Sequence, residues 1–153
     1  MNLTMWADVH AAIITLFDAG TTVPVFDTMP NTQDYLPDSI VVGGDIDPTD
    51  PTSGSFTGDW HDLGAGASRD DTGYVRVAIT SQSGDDSYTV IRARAFSIGE
   101  TLIGLLRATP GFGITTGRMS PQLGLIEGKT LTGMAKEGPW VSLILSIHYD
   151  AIT

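Results

Sequence analysis

The stretch that decides the fold of this chain is DDSYTVIRARAFSIGETLIGLLR, residues 85–107. Its apolar residues recur at alternating spacings of three and four, which places them on one face of an α-helix with about 3.6 residues per turn. Asp85 and Asp86 suit the positive end of that helix, and Pro110 and Gly111 provide a stop signal. The pattern therefore predicts a core helix that covers a sheet and carries no chemistry. Its core face comprises Tyr88, Ile91, Ala95, Ile98, Leu102 and Leu105.

The segments around this helix predict one further helix and several strands. Residues 4–18 carry a second apolar stripe at helical spacing, with Thr4 as a candidate cap. The β-branched run Ile40–Val42 is typical of a strand covered on both faces. Residues 74–81 and 140–149 alternate between two sets of side chains, which is the signature of strands. Residues 112–116 and 123–134 are weaker strand candidates.

Together these elements predict an α+β fold, in which two helices cover a largely antiparallel mixed sheet. Residues 56–67 and 74–81 form a long projecting β-hairpin in this prediction, joined by a polar turn at residues 68–73. Residues 45–55 are rich in Asp, Pro, Ser and Gly, and they predict an irregular acidic loop.

Composition limits both the size and the partners of the protein. The chain has 153 residues, of which 41% are hydrophobic, so we expect one domain over residues 1–153. The net charge is −10 and there are only 8 Lys and Arg residues, which argues against a module that grips nucleic acid. The acidic balance also argues against binding to an anionic membrane, and no apolar stretch reaches the ~20 residues of a membrane span.

No pattern of catalytic or metal-binding residues stands out. The chain has no cysteine, and His10, His61 and His148 lack the spacing of a metal site, so each is expected to be an ordinary surface or hydrogen-bonding residue. Asp45, Asp47 and Asp50 could supply oxygen ligands to a divalent cation, but a solvated acidic loop is the favoured interpretation. Nucleophile-elbow and phosphate-loop motifs are missing. We therefore expect no cofactor and no enzymatic activity.

The order of segments resembles the tail terminator, or tail completion, proteins of long-tailed phages of the siphovirus type, especially those of actinobacteria. The resemblance covers nearly the whole chain. It runs from the first helix through to the long helix and the closing strand WVSLILSIHYD at residues 140–150. Its specific parts are YLPDSIVVGG at residues 35–44, and the turn with Arg69, Asp70 and Gly73 before residues 74–81 and the Ser83-Gly84-Asp85 break.

This resemblance implies a small α+β protein that assembles as a homo-hexameric ring. Such a ring caps the head-proximal end of the tail tube, stops tube growth and offers a surface for the head-side connector or stopper protein. It implies a virion protein assembled in the host cytoplasm, with the tail tube protein as a partner and DNA passing through the lumen without specific binding. The negative charge is consistent with a conduit to which DNA does not adhere.

Candidate contact residues follow from the hairpin and from the scarce cations. A projecting ribbon could reach a neighbouring subunit or the tube, and the few arginines could pair with carboxylates of a neighbour or remain in contacts within the chain. The candidates are Arg69, Asp70, Asp71, Arg76, Arg92 and Arg94. Two alternatives stay open, namely a head-side neck protein such as a stopper or adaptor, and a small ligand-binding or hydrolase domain.

Overall fold

A computed structural model describes residues 4–27, 37–43, 52–60, 69–114, 122–136 and 138–152. Two helices and six strands lie within these ranges. The helices are α1 (Trp6–Gly20) and α2 (Tyr88–Ala108). The strands are β1 (Val25–Asp27), β2 (Asp38–Val42), β3 (Gly54–Trp60), β4 (Arg69–Gln82), β5 (Gln122–Ala135) and β6 (Gly138–Ile152).

The strands form one mixed sheet in the order β1-β2-β4-β6-β5. β1 and β2 are parallel, and every other pair is antiparallel. β3 pairs with residues 69–75 of β4, on the same side of β4 where β2 pairs with residues 77–81. The long strands β4 and β6 therefore form the centre of the sheet, with β5 at one side and β1 and β3 at the other.

Both helices pack against one face of this sheet, which we call the helix face. Val77 of β4 and Leu145 of β6 lie opposite each other on it, and they share one hydrophobic cluster with Ile13 of α1 and Leu102 of α2. Side chains alternate along a strand, so the residues between these positions point to the opposite side, the outer face. Val41, Ala78 and Ile144 of the outer face are also buried, as predicted for the two-sided strand β2. The predicted α+β fold with two helices on a mostly antiparallel sheet is confirmed.

Helix α2 agrees closely with its prediction, although its buried stripe is rotated slightly. Ile91, Ala95 and Leu102 are buried as expected, but Leu106 takes the place of Leu105, which is only half-buried. The helix begins after Ser87, so Asp85 and Asp86 precede it, and Asp86 instead lies 3.6 Å from Arg94. Gly99, between Ala95 and Leu102 in the buried stripe, is also buried and faces the core.

Two local predictions are wrong. Residues 69–73 are part of β4 and not a turn, because they are paired with β3 on one side and with β6 on the other, and this pairing overrides their polar composition. The described part of the β3–β4 hairpin is consequently built into the sheet. Residues 112 and 113 are not a strand, because Pro110–Gly113 is a short 3₁₀ turn in which Phe112 has a left-handed φ of 56°.

The two glycines of α2 offer a matched test of this packing. A Cβ on Gly99 would lie 2.9 Å from Cδ2 of Leu143, whereas a Cβ on Gly104 would meet nothing within 4 Å. We expect Gly104→Ala to raise the free energy of unfolding by about 0.5–1 kcal/mol through helix propensity. Gly99→Ala gains the same propensity but must displace Leu143, so it should be less stable than Gly104→Ala. Chemical denaturation of both variants measures the difference, and equal stabilisation would contradict the assigned helix face.

Candidate interaction surfaces

Asp71 is the centre of a buried polar cluster that attaches the start of α1 to β4. Its carboxylate accepts hydrogen bonds from the Thr4 hydroxyl at 2.9 Å, from the backbone N–H of Met5 and from the Tyr149 hydroxyl at 3.2 Å. The Arg69 guanidinium lies 3.4 Å from the same carboxylate. Asp71 has no exposed surface and Arg69 is 4% exposed. These residues therefore lie in the interior of the protein.

The surroundings of Tyr149 keep its hydroxyl protonated. Burial raises the pKa of Tyr149 well above its ordinary value, and the negative charge of Asp71 raises it further. The hydroxyl is therefore neutral at neutral pH and can donate its hydrogen bond to Asp71. In this cluster the buried Asp71 carboxylate is surrounded by the Arg69 guanidinium and several hydrogen-bond donors. The cluster attaches the start of α1 to β4.

Arg94 forms a second internal connection, between α2 and the ends of two strands. Its Nε donates to Oδ1 of Asp38 at 2.8 Å, and its Nη2 donates to the carbonyl oxygens of Gln82 at 2.9 Å and Pro37 at 3.2 Å. Asp38 also accepts a hydrogen bond from the Ser81 hydroxyl. The guanidinium of Arg94 is thus engaged within its own chain.

Arg76 joins the segments on both sides of the acidic loop. Its backbone accepts from the N–H of Gly43 at 2.7 Å and donates to the carbonyl oxygen of Ser53 at 2.9 Å. Its guanidinium donates to the carbonyl oxygen of Thr52 at 3.2 Å, and the residue is only 7% exposed. Arg76 therefore holds the two ends of this loop against β4.

A polar cleft of about 590 Å³ lies on the outer face beside Arg76. Tyr74 and Ser146 line it from the central strands, and Glu127 and Lys129 line it from β5. His148 lies next to it, with its ring 5.2 Å from that of Tyr74 and its Nε2 3.4 Å from Glu127. The cleft therefore combines both signs of charge with two aromatic rings.

The opposite side of β5 borders an apolar groove. Neither helix lies over the middle of β5, where Gly128 and Thr130 are exposed on the helix face. The groove between this strand and α2 has a volume of about 410 Å³. Its apolar walls are Phe96, Ile103, Ile126, Leu143 and Leu145. Phe96 remains 43% exposed.

The sheet has an open edge on each side within the described residues. No described strand pairs with the outer side of β5, which runs in continuous register with β6 from Ile126 to Ala135. At the other side, β3 pairs only with β4, and its residues 55–59 are exposed. Phe56 of β3 is 43% exposed although it is a large apolar residue. Uncovered edges of this kind are templates for pairing with another chain.

The structure separates the six predicted contact residues into two groups. Arg69, Asp71 and Arg76 are buried, and Arg94 is half-buried in its contacts with Asp38 and Gln82, so these four stabilise the fold of the chain itself. Asp70 is half-buried and Arg92 is exposed. A role for any of the six at an interface stays a prediction.

The histidines and the metal candidates can be placed only in part. His10 stacks on Trp6 with the ring centres 5.1 Å apart, and its Nε2 lies 3.2 Å from the carbonyl oxygen of Val42. His61 and the acidic trio Asp45, Asp47 and Asp50 lie outside the described residues. Within the described ranges, no group of three His, Asp or Glu residues could hold a metal ion. Neither of the two described helices has the length and apolar character needed to cross a membrane.

Comparison with known proteins does not assign this chain to a family. No protein-family model matches the chain, and no curated protein matches it. Among solved structures, the chain is similar to a chain in the virion of a native gene transfer agent particle, with 11% sequence identity and a TM-score of 0.49 over 93% of this chain and 94% of the other. A likeness of this size says nothing about function.

The sequence reasoning missed the groove and both open edges. Phe96 and Ile103 are seven residues apart, so they lie on the same side of α2, and they fall outside its predicted core stripe. That spacing was a usable signal for a second apolar face on the helix. The sequence contains no comparable pattern for the open edges, because the order of strands in a sheet depends on contacts between distant segments.

Proposed function

We propose that this protein is a tail terminator that forms a hexameric ring at the head-proximal end of a phage tail tube. The whole-chain resemblance of the sequence supports this role, and the α+β fold agrees with what that resemblance implies. In this role the protein is a structural component of the virion without enzymatic activity. Its partners are other copies of itself, the last ring of tube protein and the head-side connector.

The observation that carries the ring is the arrangement of the two open sheet edges. β5 and β3 are different strands on opposite sides of one sheet. A contact between two different patches is heterologous, and repeated heterologous contacts close into a ring when the rotation between subunits allows it. A subunit that exposed only one edge would favour a two-fold dimer instead.

The charge of the chain suits a conduit for DNA. Each subunit has a net charge of −10, so a ring of six is strongly acidic. Acidic groups along a channel repel the phosphate backbone and oppose adhesion during passage. The same repulsion acts between subunits, so added salt should favour ring closure over the screening length of about 8 Å at physiological ionic strength.

The decisive experiment is removal of the gene from the phage that encodes it, with electron microscopy of the particles produced. We expect overlong tails or heads and tails that remain separate, and normal particles when the intact gene is supplied in trans. Particles with tails of normal length, correctly joined to heads, would refute the terminator role. Tails of normal length that fail to join heads would instead assign the protein to the head side of the neck, as a stopper or adaptor.

A further inference from the structure

We infer that strand β3 of one subunit adds to the open edge of β5 in the next subunit and inserts Phe56 into the groove beside α2. This inference rests on the proposed ring and names the surfaces that would form it. The occupant of the β5 edge is thus a second copy of this chain. The argument uses strand direction, the faces of the two strands and the positions of charge.

Strand direction permits this pairing to continue the sheet. β3 is antiparallel to β4, β4 to β6 and β6 to β5. β3 and β5 therefore run in opposite directions within one subunit. If the strands are tilted to the ring axis, as in a barrel, rotation about that axis preserves their sense and offsets the neighbour along the strands. β3 of the neighbour then meets β5 in antiparallel fashion, with the hydrogen bonding used in most of this sheet.

The alternation of side chains determines on which face of the sheet each residue of β3 lies. Phe56 is paired with Gly73 and lies on the helix face, as Gly128 and Thr130 do on β5. In every register that keeps the two faces aligned, Phe56 projects to the side of the groove. The small residues of β5 leave the space above it open, and the groove volume of about 410 Å³ admits an aromatic ring. Phe96 and Ile103 would supply its apolar surroundings.

Charge on the outer face agrees with the same partner. Asp59 of β3 is paired with Asp70, so it lies on the outer face, where β5 presents Lys129. Both Asp59 and Lys129 are exposed. Opposite charges on neighbouring strands stabilise a pair of strands. The antiparallel register with Asp59 opposite Lys129 places Phe56 opposite Thr132, which is diagonal to Thr130 of the groove. Phe56 directly opposite Thr130 would instead place Asp59 opposite Glu127, which like charge disfavours. This register thus brings an exposed aromatic residue to the end of the groove, pairs the open edge and places opposite charges on neighbouring strands.

Cross-linking between differently labelled subunits tests the contact directly. The natural chain has no cysteine, so Thr57→Cys and Leu131→Cys each introduce a single reactive thiol. Both positions lie on the outer face, on β3 and β5 respectively. The two variants are mixed, allowed to exchange subunits and treated with a flexible bis-maleimide. We expect a covalent dimer in the mixture and none in either variant alone.

A substitution of the anchor measures its contribution. Phe56→Asp should raise the subunit concentration at which the oligomer dissociates by about tenfold or more, because a buried aromatic anchor dominates such contacts. Val90→Asp is the matched control, since Val90 is 50% exposed on α2 and does not line the groove. Thermal unfolding of both variants should stay close to that of the natural protein, which separates lost association from lost folding.

The outcomes distinguish this inference from the proposed function. A ring in native mass spectrometry with no β3–β5 cross-link, or one that is unaffected by Phe56→Asp, would overturn the inference and leave the ring intact. Cross-links in the Leu131→Cys variant alone would show a symmetric β5–β5 contact and would also overturn it. A natural chain that stays monomeric both alone and with the tail tube protein would overturn the proposed ring itself.

Discussion

Asp71→Ala is expected to lower the free energy of unfolding by about 3–5 kcal/mol, which is the range for removal of one partner of a buried ion pair. Asp71 is fully buried, and its carboxylate receives hydrogen bonds from Thr4, Met5 and Tyr149. Removing it leaves these donors without their acceptor and leaves the buried charge of Arg69 without that counter-ion. Urea denaturation followed by circular dichroism measures the loss.

The neighbouring residue provides the control for this prediction. Asp70 carries the same side chain, lies on the outer face and is only half-buried. Asp70→Ala should change the free energy of unfolding by no more than about 1 kcal/mol. Hydrogen exchange adds a local readout, because Asp71→Ala should expose the first turn of α1 before the rest of the helix. Equal losses from the two substitutions would show that the cluster at Asp71 does not stabilise the fold.

Leu102→Ala is expected to destabilise the protein by about 2–5 kcal/mol. Leu102 is 1% exposed and belongs to the cluster between α2 and the sheet. Truncation removes buried apolar surface and leaves a cavity that the surrounding strands can fill only in part. The same denaturation experiment measures this effect, and a negligible shift of the midpoint would contradict the assigned position of Leu102.

The chain contains a matched substitution for comparison. Leu125 lies on β5 and is 60% exposed, so Leu125→Ala removes the same atoms from the surface. Its effect on the free energy of unfolding should stay within about 0.5 kcal/mol. The difference between the two variants isolates the contribution of burial from that of the amino-acid change.

Local periodicity was sufficient to predict the elements that have one apolar face. The spacing of Ile91, Ala95 and Leu102 placed them correctly on the buried side of α2, and the alternation in residues 140–149 placed Val141 and Leu143 on the helix face of β6. These patterns are readable because an amphipathic helix or strand repeats its exposure within a few residues. The α+β class followed from the order of those elements.

The contact residues were less predictable, because burial of a polar side chain depends on segments far away in the sequence. The run RDDTG at residues 69–73 has the composition of a turn, yet β3 and β6 pair with it on both sides, and α1 begins beside it. Arg69 and Asp71, which the sequence predicted to lie on the surface, are therefore buried in the tertiary structure. Arg94 likewise became an internal link between α2, Asp38 and Gln82.

The sequence by itself determined the two helices, the principal strands and the acidic balance of this protein, since each depends on nearby residues or on composition alone. Only the tertiary structure decided that, among the described strands, β5 and β3 each have an unpaired side and that a groove opens beside Phe96. A strand is an edge when no other strand pairs with one of its two sides. No local pattern records that absence, because strand pairing is a property of the whole sheet.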